Sequence, residues 1–488
     1  MDCPRVMVAA PHGRSGKTTV SIGIVAALAA RGLAVQPFKK GPDYIDPSWL
    51  TGAGGRPCRN LDLFMMGEEA IVTAFRRATV DAGIAVIEGA MGLYDGLDLE
   101  GTGSSAALAR LLGAPVLLVV DATRMTRSVA ALVGGYQHFE PGVNVAGVIL
   151  NNVGHSRHEK MLVGAIERYC GIPVVGCIPK RKELAITDRH LGLVPRAEDE
   201  ELAPVIEEAQ RAVEQHLNLD LLLEIAGSAP PLPPGDMVAL EDKAGRLARI
   251  GVLLDRVFTF YYPENLEALE RAGAQLEFVD SLADRILPEV DGLYIGGGFP
   301  EVFMAQLEAN ESLRSDIRRR VERGLPVYAE CAGLIYLSRA VRWGDRQAEM
   351  VGVLPCEVEM TRRPQGHGYA VAEVVADSPF FARGQELKGH EFHNTRVSSL
   401  DRGKVEFAYR LSRGSGIDSD HNDGLMVGNV LAAYTHIHAA AAPGWAERFV
   451  EAAERQRGRP SGGNEGTRLP SSNATAVLLT AEVADCYG

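Results

Sequence analysis

Residues 5–31 run from a short β-branched stretch, Val6-Met7-Val8, through Ala10-Pro11-His12-Gly13-Arg14-Ser15-Gly16-Lys17-Thr18-Thr19 and straight into a helical pattern. That order constrains the fold more than anything else in the chain. A Gly-Lys-Thr turn that opens a helix points backbone N–H groups and the positive end of the helix at an anion, and it belongs to a strand–loop–helix unit of an open parallel sheet. The alternation then repeats: helical patterns at 17–31, 104–112 and 156–169 lie among apolar runs at 35–38, 84–87, 115–120, 145–150 and 173–178. Strands alternating with helices predict crossover units and a parallel sheet covered on both faces.

The first loop carries the residues that phosphate binding needs. Gly13, Gly16, Lys17, Thr18 and Thr19 are expected against phosphate oxygens, with Lys17 neutralising them and the Thr18 hydroxyl ligating Mg2+. Pro11 stands where such loops begin with glycine, and His12 stands where partitioning and septum-site ATPases carry a second lysine, which argues against a dimerising ATP switch. Glu88 falls at the carboxyl edge of a later strand, where open α/β sheets bind ligands. It is a candidate metal ligand, directly or through water, with a solvated strand-end acid as the alternative. The stretch Phe38-Lys39-Lys40-Gly41-Pro42-Asp43-Tyr44-Ile45-Asp46-Pro47 also follows a strand. Asp43 and Asp46 are candidates to hold metal or orient the group being activated, and Lys39 to meet a phosphate or a carboxylate; an ordinary turn uses the same residue types. Asp95, in Gly92-Leu93-Tyr94-Asp95-Gly96, admits the same two readings.

At 228 the chain becomes Ser-Ala-Pro-Pro-Leu-Pro-Pro-Gly, a stiff stretch that cannot continue a helix. The expected division is therefore a domain at 1–227, a linker at 228–245, a second domain at 246–454 and a loose tail at 455–488, which soon reads Arg-Gly-Arg-Pro-Ser-Gly-Gly-Asn. With 488 residues, 46% of them hydrophobic, there is enough chain for two cores.

The second domain repeats the alternation from 249–254, through a helix opened by Pro263, to strands at 292–295 and 326–329. Pro326-Val327-Tyr328-Ala329-Glu330-Cys331-Ala332-Gly333-Leu334 then passes from strand to helix through small residues, a shape that lifts a nucleophile above a sheet. Cys331 at that helix start is expected to have its thiolate favoured by the helix dipole and nearby N–H groups. Glu330 beside it is a poor core residue, which speaks against an inert buried cysteine. Thiolate attack on a carbonyl carbon needs a base and donors for the developing oxyanion. Gly297 and Gly298, after the strand at 292–295, are the expected oxyanion hole. His436, at the end of a late apolar strand pattern, is the expected base, although His390, His393 and His438 fit the residue pattern as well.

A formal charge of −13 opposes polyanions, so nucleic acid is not an expected partner, and an anionic substrate must be met by local basic clusters. The seven cysteines are scattered without a CxxC pair, which argues against a disulfide framework and a zinc site and fits a reducing compartment. No signal peptide and no apolar run of roughly 18 residues is present, so a soluble cytoplasmic protein without a membrane partner is expected. The tripeptide Asn473-Ala474-Thr475 is then an accidental glycosylation match.

Taken together, these residues resemble the cobyrinic acid a,c-diamide synthases. In the first domain the likeness rests on 38–47, Asn60-Leu61-Asp62-Leu63, 88–96 and Arg189-His190-Leu191-Gly192-Leu193. In the second it rests on 258–263, 296–300, Ala329-Glu330-Cys331, Gly389-His390-Glu391-Phe392-His393 and Tyr434-Thr435-His436. The resemblance implies an α/β protein with a dethiobiotin-synthetase-like P-loop domain followed by a class I glutamine amidotransferase-like domain. It implies ATP and Mg2+ as cofactors and glutamine as co-substrate. Cys331 would take the glutamine carboxamide as a thioester, His436 would activate it, and ammonia would pass to the ATP domain to displace phosphate from an acyl phosphate. Ordinary triad amidotransferases carry an acid two residues after the histidine; this chain has His438 there, as the cobalamin-pathway enzymes also lack the third member. Lys40, Ala332 and residues 362–369 depart from the family's usual pattern and leave the substrate open among cobyrinate, siroheme and nickel-sirohydrochlorin. Lys39, Arg157, Arg189 and His190 are candidates to meet a tetrapyrrole polycarboxylate. A homodimer is the assembly considered, and an ATP-dependent switch with an inactive amidotransferase domain is the non-catalytic alternative.

Overall fold

The computed structural model describes residues 3–180, 188–189, 192–193, 202–232 and 248–457. His190, residues 233–247 and the segment after 457 lie outside the described residues, and Arg189 is described by its backbone alone. The chain divides into two compact units between residues 238 and 239. Among the described residues no helix is long and apolar enough to cross a membrane.

The first unit is built on β1 (Arg5–Ala9), β2 (Val35–Lys40), β3 (Arg59–Leu61), β4 (Ile84–Glu88), β5 (Val116–Asp121), β6 (Val145–Val153) and β7 (Val174–Pro179). They form one seven-stranded sheet in the order β3-β2-β4-β1-β5-β6-β7, parallel at every pairing. β1 and β4 are buried at every position, as strands covered on both faces must be, which is why they read as continuous apolar runs. The helix Lys17–Ala30 packs against Leu202–His216 so closely that a Cβ on Gly23 would lie 2.4 Å from the Ala209 carbonyl oxygen. Because β4 lies between β1 and β2, with Glu88 in register with both Val8 and Lys39, the loops after these strands meet at one carboxyl edge. A short antiparallel pair, β8 (Asp188–Arg189) and β9 (Gly192–Leu193), follows.

The Pro-rich stretch does not begin as a free spacer. The helix Leu219–Gly227 ends at Ser228, and Pro230 packs beside Gly113 while its carbonyl accepts a hydrogen bond from the buried Arg5 guanidinium. Leu232 is buried as well.

The second unit contains β10 (Ala248–Leu253), β11 (Ala274–Val279), β12 (Gly292–Ile295), β13 (Val327–Glu330), β14 (Ala340–Trp343), β15 (Arg346–Glu349), β16 (Cys356–Met360), β17 (Gly366–Val374), β18 (Glu386–His393), β19 (Thr395–Leu400), β20 (Glu406–Arg413), β21 (Asn422–Val427), β22 (Val430–Ala433) and β23 (His436–Ile437). Its main sheet runs β11-β10-β12-β13-β22-β21-β20-β17-β18-β23. The strands from β11 to β22 pair in parallel, and those from β22 onward are antiparallel. A second sheet of four strands, β15-β14-β16-β19, lies beside it in the same unit. The helix Trp445–Arg457 closes the unit by burying Trp445, Phe449, Val450 and Ala453. This apolar stripe carries the helix three residues into the segment expected to be a loose tail from 455.

One buried acid ties the antiparallel half to the turn that delivers the last short strand. Asp423 on β21 is fully buried; its Oδ1 accepts from Tyr434 N at 3.0 Å, and its Oδ2 accepts from Thr435 N at 2.9 Å and Thr435 Oγ1 at 2.7 Å. Removing it strands three donors away from water. The Asp423→Ala variant should lose about 2–4 kcal/mol of stability, read as a lower urea midpoint with an unchanged slope. A loss below about 0.5 kcal/mol would show that the turn holds itself.

Candidate active sites

At the carboxyl edge of the first sheet, β1 runs into the phosphate loop. Gly16 caps the helix Lys17–Ala30 with a left-handed backbone (φ 85°), and a Cβ there would lie 2.2 Å from Asn151 Nδ2. Asn151 sits on β6 and donates to Ser15 O at 3.0 Å, bracing the loop from the far side of β1. Gly13 has open space where a Cβ would stand, and Thr19 occupies the first helical turn. Thr18 Oγ1 donates to Glu88 Oε1 at 2.7 Å and lies 3.4 Å from Asp46 Oδ2, so three expected metal ligands come together.

Lys39 lies in the middle of this cluster, almost fully buried. Its Nζ bonds Asp46, lies 3.0 Å from Glu88 and is 3.7 Å from Asp43, while Lys17 Nζ is 3.5 Å from Glu88. Burial alone would lower the Lys39 ammonium, but the three carboxylates outweigh it and hold it well above its ordinary range. Burial would likewise raise Asp46, yet Lys39 and Lys17 pull it below the usual carboxylate range. Asp43 keeps less of that help: burial and the neighbouring Asp46 charge push it up to about 7. Its Oδ1 accepts from Ile45 N and Asp46 N, so it also caps the helix Ile45–Gly54. Lys39 is thus held as a buried counter-ion among the three acids. The Asp95 carboxylate is exposed and accepts from Gly92 N at 2.8 Å, closing its own turn.

This set fits a hard divalent cation on one further ground. Glu88 Oε2 is buried with no hydrogen-bond partner, an oxygen lone pair that the protein itself leaves unused beside the Thr18 hydroxyl and the Asp46 carboxylate.

In the second unit β13 ends at Glu330, and Cys331 turns the chain into the short helix Ala332–Leu337 with φ 47° and ψ −95°. A non-glycine residue held there is strained, and the surrounding backbone fixes it: Cys331 N donates to Ala433 O at 2.7 Å, and Gly333 N donates to Gly296 O at 3.1 Å. The thiol is buried. Burial, then the charge of Glu301, push it far above the ordinary thiol range, and the Ala332 N–H pulls only weakly the other way. The expected dipole-favoured thiolate is therefore corrected: a six-residue helix offers less than desolvation takes away. Glu330 is corrected too, since it is a core residue after all, with 1% exposure.

The four histidines that the sequence left open separate in three dimensions. His438 Nδ1 accepts from Ala440 N at 3.1 Å and its Nε2 faces Glu264 at 3.5 Å. His393 lies flat on Tyr434, with its Nδ1 2.8 Å from Thr395 O, and burial pushes it down to about 4. His390 has its Nε2 2.8 Å from Tyr262 Oη, and burial, with the nearby His436, lowers it far below the imidazole range. His436 stacks on His390 at 4.9 Å, presents its Cε1 edge to Gly297 and sets Nδ1 3.6 Å from Glu330 Oε2.

Gly297 has a different task from the one expected. Its N–H donates to Phe260 O at 3.3 Å, so it is already engaged, while a Cβ on it would lie 2.5 Å from His436 Cε1. Gly298 (φ 152°) would drive a Cβ to 1.8 Å from Val257 O and must stay glycine. The donor recorded beside the Cys331 thiol is the N–H of Ala332, which was missed by sequence reasoning. Glu330, Asn151 and Asp423 were missed as partners also, because each reaches an element distant in sequence.

Comparison with known proteins adds to this geometry. Residues 6–193 match the family model of the CobQ/CobB/MinD/ParA nucleotide binding domain, and residues 249–444 match that of the CobB/CobQ-like glutamine amidotransferase domain. A protein of Magnetococcus marinus named cobyrinate a,c-diamide synthase is 49% identical over 460 residues, covering 93% of this chain and 98% of that protein. Proteins of the same name from Archaeoglobus fulgidus and Methanosarcina acetivorans are 43% and 42% identical, over 94% and 93% of this chain and 99% and 96% of theirs.

The buried thiol makes a prediction about pH. A raised pKa means less thiolate at any given pH, so alkylation of Cys331 by iodoacetamide should be slow at pH 8. It should keep rising well beyond about pH 8.5, where an ordinary thiol begins to level off. Peptide mass spectrometry of alkylated protein measures this, and a plateau near pH 8.5 would contradict it.

Proposed function

The chain belongs to the cobyrinate a,c-diamide synthase family, and from that premise we propose that it amidates the a and c carboxylates of cobyrinate, or of a close tetrapyrrole acid, using ATP and either glutamine or free ammonia. The observation that carries this reading is one chain holding two separate clusters of different chemistry. One gathers Lys17, Thr18, Asp46 and Glu88 behind a phosphate loop; the other sets a strained Cys331 and a buried His436 in one unit.

In the second unit the Cys331 thiol gives its proton to His436 as Sγ bonds to the carboxamide carbon of glutamine. The N–H groups of Gly298 and Ala332 stabilise the oxyanion. The C–N bond then breaks as the imidazolium returns the proton to nitrogen, which leaves ammonia and a thioester; water cleaves the thioester to glutamate and the free thiol. Since burial keeps the resting thiol neutral, ionisation is coupled to substrate binding and the cysteine is protected from other electrophiles.

In the first unit a substrate carboxylate oxygen attacks the γ-phosphorus of ATP and ADP departs. Ammonia then attacks the acyl carbon and phosphate leaves, giving the amide. Lys17 and the N-terminus of the helix Lys17–Ala30 neutralise phosphate oxygens. Thr18, Glu88 and Asp46 would hold Mg2+, which when bound supplies further neutralisation of the phosphate charge. Lys39 holds Asp46 below the usual carboxylate range and bonds Glu88 in place. Arg189 and His190 are the basic residues proposed to meet the substrate's remaining carboxylates in a chain that is otherwise negative. A cytoplasmic setting fits the six described cysteines, which form no disulfide; a homodimer remains a proposal for sizing measurements.

Two experiments test the reading. The Cys331→Ser variant should lose glutamine-dependent amidation by at least about 10³-fold while amidation with ammonium chloride stays within about twofold; loss of both together would sink the division of labour. Thr18→Ala, or removal of divalent metal with EDTA, should instead lower both activities, the variant by about 10²–10³-fold. Mass spectrometry with cobyrinate and siroheme offered side by side reads the substrate, and exclusive amidation of siroheme would replace the cobyrinate assignment.

A further inference from the structure

Ordinary triad amidotransferases orient the base with an acid two residues after it. Here that position is His438, which is itself held by Glu264 at 3.5 Å and by Ala440 N at 3.1 Å and offers no negative charge. A carboxylate nevertheless reaches the base from another direction. Glu330 Oε2 lies 3.6 Å from His436 Nδ1, and both side chains are buried, at 1% and 0% exposure. Three donors converge on the same carboxylate: Tyr328 Oη at 3.1 Å and Ile437 N at 3.1 Å on Oε1, and Tyr294 Oη at 3.2 Å on Oε2. Burial, then the Glu330 charge, hold both phenols well above their ordinary range, so they remain protonated donors. An ionised carboxylate can accept from all three and from an imidazole, whereas a protonated one would waste a donor here. The ring of His436 has little freedom to turn away, because it is stacked on His390 and its Cε1 edge abuts Gly297.

We propose that Glu330, the residue directly before the nucleophile, is the positioning acid of His436. Its carboxylate keeps the imidazole protonated at Nδ1, which leaves Nε2 to take the proton of the Cys331 thiol, and it stabilises the imidazolium that forms. The separation of 3.6 Å is longer than a hydrogen bond and shortens when the ring becomes charged, as catalytic contacts in resting enzymes commonly do. One peptide thus supplies both the nucleophile and the orienting acid. Glu330 ends β13, and the strained turn at Cys331 follows at once. The inference rests on the glutaminase reading of Cys331 and His436.

The test uses the full chain with Glu330→Gln and Glu330→Asp, measuring kcat and KM for glutamine, with ammonium-dependent amidation by the same preparations as a report on folding. For Glu330→Gln, kcat with glutamine should fall by about 10²–10⁴-fold with KM changed by less than about threefold. Glu330→Asp, which restores the charge, should recover at least about tenfold of that loss. In ¹⁵N-histidine-labelled wild-type protein, long-range ¹H–¹⁵N correlation should show His436 protonated at Nδ1. An Nε2-protonated tautomer in the wild type overturns the proposal without any variant. So does a Glu330→Gln enzyme that keeps kcat, or an Asp variant no better than Gln, since packing alone would then explain the loss. If instead Cys331→Ser retained glutamine use, the glutaminase reading itself would fall, a result distinct from all of these.

Discussion

A charge buried at the carboxyl edge of a parallel sheet is tolerated only when the loops around it supply its partners, and in the first unit Lys39 meets that condition. Its ammonium sits among Asp43, Asp46 and Glu88, three acids that would otherwise repel one another in a site shielded from water. Because β2 and β4 are neighbours and Lys39 is in register with Glu88, the pairing is a consequence of strand order. Asp46 is thereby held below the usual carboxylate range, and it and Glu88 stand close to the Thr18 hydroxyl.

The same constraint governs the second unit with the signs reversed. There the buried charge is Glu330, and its partners are two phenols, a backbone N–H and an imidazole drawn from β12, β13 and β23. The Cys331 thiol next to it has no such company, and burial pushes it far up. The residue's strained backbone is held by hydrogen bonds to Ala433 and Gly296.

Features that depend on neighbours in sequence were legible early. The order strand, Gly-Lys-Thr, helix marked the first site, and a cysteine between a strand and small residues marked the second, because both are local devices whose backbone requirements are written in adjacent positions. Gly297 was not read correctly, since its N–H is taken by Phe260 across an isolated bridge that no local pattern announces. Asp95 admits a ligand's and a turn's reading alike in sequence, because aspartate serves both, and its bond to Gly92 is visible only in three dimensions. The choice among four histidines was equally closed to sequence, as all four lie in short stretches of similar character.

What the sequence determined by itself was the kind of protein: an α/β chain with a phosphate loop, a second unit with a cysteine elbow, and the family to which both belong. Helix and strand periodicity and tight turns arise from contacts within a few residues, so they leave a readable trace. What the tertiary structure alone decided was which buried groups face one another: Lys39 with its three acids, Asp423 with the Tyr434–Thr435 turn, Glu330 with His436. Burial and Coulomb interaction depend on distance through space, and residues far apart in the chain carry no mark of meeting until the sheet order brings them together.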